Sequence, residues 1–142
     1  MPTQRSTATW NGSIGDGSGT MKLGSGAWEG SFNVPSRFED GDGTNPEELI
    51  AAAHAGCYSM QLSAFLTTEG FTVNSIQTSA DVTVEKNDSG GWTITTIALD
   101  CTANVDDIDD DAFQAQATKA KENCPVSVAL AGPDISLDAK LA

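Results

Sequence analysis

The chain carries few side chains able to do covalent chemistry: one histidine, His54, and three cysteines, Cys57, Cys101 and Cys124. His54 and Cys57 fall within "NPEELIAAAHAGCYSM", residues 45–60. Three positions apart, they share one side of a helix. That spacing suits a general base for a thiol, a pair of metal ligands, or a packed histidine hydrogen-bonded to backbone. A thiol in mid-helix gains little from the helix dipole, so a nucleophilic Cys57 needs a cation to lower its pKa. Of Arg5, Lys22, Arg37, Lys86, Lys119, Lys121 and Lys140, Arg37 is the attractive choice. Its guanidinium is permanently charged and presents several donors at once. The plainer reading of Arg37 is a solvated loop residue in "PSRFEDG". Cys124 precedes Pro125, where one helix ends and another begins, and free N–H groups at a helix start stabilise a thiolate. Cys101 lies in "IALDCTA" on the side of Ile97, Leu99 and Ala103, where cysteine behaves as a small hydrophobe.

Two other arrangements use the same residues. Zinc accepts the atoms of His54, Cys57 and Cys124, with an acidic fourth ligand, although a second closely spaced pair is missing. A Cys–His hydrolase needs a group to orient the imidazole, and none is evident. A non-catalytic binding module with merely buried cysteines is the third alternative.

These residues require elements to hold them. Short strands are expected at Thr7–Asn11, Gly19–Leu23 and Ala27–Val34, separated by glycine-rich turns. The run "GSIGDGSG" lacks the Lys-Ser/Thr ending of a phosphate loop and opens no helix. Asn45 caps a long helix, Pro46 suits its first turn, and Glu48 completes a capping box. Gly70 stops it after Glu69. Its apolar residues cover nearly every face, which predicts burial on most sides. "FTVNSIQTSADVTVEK" and "WTITTIALDCTANV" form a hairpin across "NDSGG". A helix follows over Asp110–Asn123, then a short one in "PVSVALAG" and a final strand in "ISLDAKLA". The plan is one α+β domain over residues 1–142, with antiparallel sheet.

Twenty acidic residues against seven basic ones give a net charge of −13. Such a surface repels phosphate backbones and anionic lipid heads, so neither a nucleic acid nor a membrane surface is an expected partner. No stretch reads as a membrane span, because His54 and Gln61 interrupt the most apolar window. The N-terminus has no apolar core of a signal peptide, and an odd cysteine count argues against a disulfide scaffold, so a cytoplasmic location is expected.

"RFEDGDGTNPEELIAAAHAGCYSMQLS", followed downstream by "KAKENCPVS", closely resembles the osmotically inducible protein C (OsmC) family, a relative of the organic hydroperoxide resistance proteins. The resemblance runs from "ATWNGSIGDGSGTM" to "ISLDAKL". It implies an OsmC-like fold, with antiparallel sheets around a long central helix, in an intertwined homodimer with active sites at the subunit interface. It also implies a thiol peroxidase of oxidative and osmotic stress defence, acting on organic hydroperoxides and less well on hydrogen peroxide. Cys57 then matches the peroxidatic cysteine, Cys124 the resolving one, and Arg37 and Glu47 the charged pair around the thiolate. The implied reductant is a small or protein-bound dithiol, lipoyl-type in the hydroperoxide-resistance branch. No metal, flavin or haem is called for. Tyr58, Met60, Phe38 and Val126 are candidate pocket walls by their nearness to these positions.

One geometric consequence is independent of the resemblance. Glu47 precedes Cys57 by ten residues, roughly 15 Å along a helix axis at ~1.5 Å per residue. Either the helix breaks between them or Glu47 serves the Cys57 of a partner subunit, and the second is the expectation.

Overall fold

Turn chemistry divides the first third of the chain into short strands. β1 (Ser6–Asn11), β2 (Ser18–Leu23) and β3 (Glu29–Phe32) form an antiparallel sheet in that order. The computed structural model describes all of residues 1–142 and contains two compact units, Met1–Leu49 and Ile50–Ala142. In the first unit, β3 stops two residues before the expected strand end because Asn33 begins a helical turn, α1 (Val34–Phe38). The Asn33 side chain accepts from the Ser36 N–H at 2.7 Å, and Ser36 Oγ accepts from the Asn33 N–H at 2.9 Å. This capping box places Arg37 on a fixed turn rather than in the solvated loop considered from sequence. Trp10 and Phe32 pack with ring centroids 5.4 Å apart. Phe32 also lies across Gly19, where a Cβ would stand 2.4 Å from its ring, so only glycine leaves that ring its place.

The long helix, α2 (Pro46–Thr68), is unbroken and ends before Gly70, whose φ of 92° favours glycine. Asn45 accepts from the Glu48 N–H at 2.8 Å, but the Glu48 carboxylate takes the Thr44 hydroxyl instead of closing the box. Two expectations about α2 need correction. By length and composition it is long and apolar enough to cross a membrane, since its alanines offset His54 and Gln61. Nor is it buried on most sides within one chain. In the second unit only the stripe His54, Tyr58, Leu62 and Leu66 is buried, at the four-residue interval of one helix face. Ala52, Ala53, Gly56, Met60 and Ala64 are exposed, Met60 by 77 %.

β4 (Thr72–Lys86) and β5 (Trp92–Asp106) form the expected hairpin, and β6 (Asp134–Leu141) pairs with β5. This last pair is parallel, not antiparallel as expected. The connection explains it: α3 (Asp110–Asn123) and α4 (Pro125–Ala129) carry the chain back so that β6 enters beside the start of its neighbour. Asp109 caps α3 by accepting from the Ala112 N–H at 2.8 Å, and Asp110 and Asp111 favour its positive end. Alternate residues of β5, Ile97, Leu99, Cys101 and Ala103, meet Tyr58, Leu62 and Leu66 of α2 and Phe113, Ala117 and Ala120 of α3. Leu62→Ala opens a cavity in this core and should cost about 2–5 kcal/mol, read as a lower urea midpoint.

Candidate active site

In the first unit, Arg37 and Glu47 form a bidentate pair. Arg37 Nε donates to Glu47 Oε2 at 3.0 Å and Nη2 donates to Oε1 at 2.6 Å. The Glu47 side chain is 9 % exposed and the Arg37 side chain 35 %. Two parallel bonds fix the guanidinium plane as one bond does not, and its partly open side keeps donors for another group. Beside it is an apolar pocket of about 140 Å³ lined by Trp10, Ile14, Phe32, Val34, Arg37 and Phe38, among others. Phe38 is therefore a pocket wall, as expected, whereas Trp10 and Phe32 were invisible as such in the sequence.

In the second unit, the two cysteines expected to react together are together. Cys124 Sγ donates to Cys57 Sγ across 2.8 Å, and both are free thiols. Sixty-seven positions separate them in the chain. α2 supplies Cys57 from its middle. Cys124 is both the last residue capping α3 and the residue that starts α4, with an extended backbone at φ −60°, ψ 125°. Pro125 cannot continue α3 and is suited to the first position of α4, so the chain bends where the thiol projects. A groove of about 490 Å³ runs past Cys57, lined by Met60, Gln61, Ala64 and Pro125. Met60 is a wall, as expected. Tyr58 is not: one residue further round the helix, it is fully buried and reaches the Ala117 carbonyl at 3.4 Å.

Burial pushes the Cys57 thiol above its usual range, and the thiol of Cys124 adds to the effect. The backbone N–H of Val126 opposes both by hydrogen-bonding the sulfur. The start of α4 thus serves Cys57, whereas from sequence it was expected to serve Cys124. No cation is among the groups that shift Cys57. Glu47 and Cys57 are on the same continuous helix, roughly 15 Å apart along its axis, which removes the broken-helix alternative.

His54 is fully buried, and its Nε2 lies 2.7 Å from Ser127 Oγ. Burial holds the imidazole below its usual pKa, favouring the neutral ring. Nδ1 is buried with no hydrogen-bond partner, so nothing orients the ring as a base. The zinc arrangement of His54, Cys57 and Cys124 does not assemble, since no three His, Cys, Asp or Glu side chains gather closely enough to hold an ion. Ser127 was missed in the sequence. The available signal was its spacing, three residues after Cys124 as His54 is three before Cys57. Cys101 is fully buried beneath Tyr58 and Thr78, and burial pushes its thiol up.

Residues 39–138 match the family model of OsmC-like proteins. The chain belongs to the OsmC family. Among its relatives, Peroxiredoxin OsmC of Escherichia coli (strain K12) is 45 % identical over 139 residues, 97 % of this chain and 96 % of the relative. Organic hydroperoxide resistance protein OhrB of Bacillus subtilis (strain 168) is 31 % identical over 110 residues, 75 % of this chain and 78 % of that protein. An organic hydroperoxide resistance protein OsmC from Legionella pneumophila shares the fold, with a TM-score of 0.75 at 20 % identity over 97 % of this chain and 96 % of that one.

Proposed function

We propose that this protein is a thiol peroxidase that reduces organic hydroperoxides, and hydrogen peroxide less well, through Cys57 and Cys124. The observation that carries the reading is the 2.8 Å approach of the two free sulfurs at the bend between α3 and α4. The names of its relatives, a peroxiredoxin and a hydroperoxide resistance protein, point the same way.

The Cys57 thiolate attacks the terminal oxygen of ROOH, the O–O bond breaks, and the alkoxide leaves as ROH after taking a proton. Cys57 is then a sulfenic acid. The Cys124 thiol displaces the hydroxyl of that acid, giving the Cys57–Cys124 disulfide and water. An external dithiol, such as a lipoyl group, restores both thiols by exchange and is itself oxidised to a disulfide.

The thiolate needs a cation that its own surroundings do not supply. Arg37 has the right charge, a fork fixed by Glu47 and an apolar pocket for an alkyl group alongside. The exposed small-residue face of α2, with Met60 at 77 % exposure, is the surface that a second copy would cover. In such a homodimer Arg37 and Glu47 of one chain attend Cys57 of the other, holding it as thiolate and neutralising charge on the peroxide oxygens.

One equivalent of cumene hydroperoxide should remove two titratable thiols and leave one, with an intramolecular Cys57–Cys124 link in the peptide map. Cys124→Ser should consume one equivalent and then stall or proceed to sulfinic acid as peroxide is raised. Persistence of all three thiols in the wild-type protein would overturn the reading.

A further inference from the structure

The buried histidine has no part in this cycle, yet it makes the one side-chain hydrogen bond of α4. Two side-chain contacts join α2 to the α4 turn, beside the Val126 N–H on the Cys57 sulfur: Cys57 Sγ to Cys124 Sγ at 2.8 Å, and His54 Nε2 to Ser127 Oγ at 2.7 Å. Each chain segment spans the same interval, 54 to 57 and 124 to 127, in opposite sense. The contacts are therefore neighbouring rungs between two antiparallel stretches.

The α4 rung has little else to hold it. α4 is five residues long, and Cys124 supplies no side-chain cap to it. Apart from the Val126 N–H on the Cys57 sulfur, its backbone bonds are local, Val128 N–H to the Cys124 carbonyl and Leu130 N–H to the Val126 carbonyl. Ser127 is 4 % exposed and His54 fully buried. Separating them inside the protein would strand two polar groups, which costs more than losing a surface hydrogen bond. The ring's bare Nδ1 has no carboxylate or carbonyl behind it, so the geometry gives a holding contact, not a base.

We propose that His54 and Ser127 are positioning residues for the second chemical step, pinning α4 so that the Cys124 thiol stays in register with Cys57 after the latter becomes a sulfenic acid. This rests on the peroxidase reading above. At that stage two outcomes compete. Cys124 closes the disulfide with loss of water, or a second hydroperoxide transfers another oxygen to give a sulfinic acid and a second alcohol. Closure is intramolecular, and a displacement of about 1 Å lowers such a rate by on the order of a hundredfold.

The test separates the steps by rapid quench and mass spectrometry of Cys57 after cumene hydroperoxide is added to the full-length protein. Ser127→Ala removes one hydroxyl with little change in volume, and it should leave the rate of first oxidation essentially unchanged. Disulfide closure should slow about ten- to hundredfold, and the sulfinic fraction should rise at peroxide levels harmless to the wild type. Ser127→Thr keeps the hydroxyl and should restore closure, and His54→Gln, which keeps a hydrogen-bonding head, should restore part of it. Closure at the wild-type rate in Ser127→Ala overturns the proposal. So does equal slowing of both steps, which is the mark of a general loss of packing. Failure of wild-type Cys57 to be oxidised at all would instead sink the peroxidase reading, and this inference with it.

Discussion

Cys57→Ser is expected to reduce dithiol-dependent consumption of cumene hydroperoxide to the uncatalysed background. The loss should be complete because of bond chemistry, not only because serine is a weaker acid. A sulfur nucleophile accepts an oxygen atom and becomes a sulfenic acid, trading a weak O–O bond for a stronger S–O bond. A serine oxygen attacking the same atom would make a new O–O bond and reduce nothing. The exchange of Sγ for Oγ is nearly isosteric at a half-buried site, so folding should be preserved and the circular-dichroism spectrum unchanged. Residual turnover near the wild-type rate would refute the assignment of Cys57, and transfer of activity to Cys101 is not expected, since that thiol is fully buried.

The second large effect concerns Arg37. Burial and the neighbouring thiol push the Cys57 pKa up, and in the proposed mechanism Arg37 supplies the cation that offsets them. Arg37→Ala should lower activity at neutral pH by about ten- to thousandfold, the range of thiolate loss when a close charge partner goes. The sign fixes the pH dependence. Without the cation the pKa rises, so the rate profile moves to higher pH and part of the activity returns in alkaline buffer. Mixing distinguishes service within a chain from service across a dimer. Arg37→Ala and Cys57→Ser homodimers should each be nearly inactive. After denaturation and refolding together, half the dimers carry one of each chain, and one of their two sites then joins an intact Cys57 to an intact Arg37. About a quarter of wild-type activity should return if the site is shared by symmetric partners. No return would place Arg37 with the cysteine of its own chain and remove the shared site.

Much of this molecule could be read from residues with local consequences. Asn45, Pro46 and Gly70 mark the ends of α2 because capping and left-handed backbone are decided within a few residues. The turn at Asn87–Gly91 marked its two strands for the same reason. α1 escaped because five residues are too few to show a period, although Asn33 and Ser36 spell its cap. The direction of β6 escaped as well: alternation shows that a segment is a strand, not which way its neighbour runs. The apolar character of α2 was plain, but composition does not say whether its own chain or another molecule covers a face. At the site, the cysteine pair was legible through its contexts. Ser127 was not, because a serine acquires meaning here only from a histidine 73 positions away.

The bend after α3 has a further consequence. The Val126 amide, which opposes the rise in the Cys57 pKa, stands two residues from Cys124, the thiol we propose closes the disulfide. Pro125 couples them rigidly. The two groups act on Cys57 from one bend, the first through the backbone and the second through a side chain. The Arg37–Glu47 fork and the pocket beside it leave that bend untouched, and a faster catalyst built on this scaffold is best sought there.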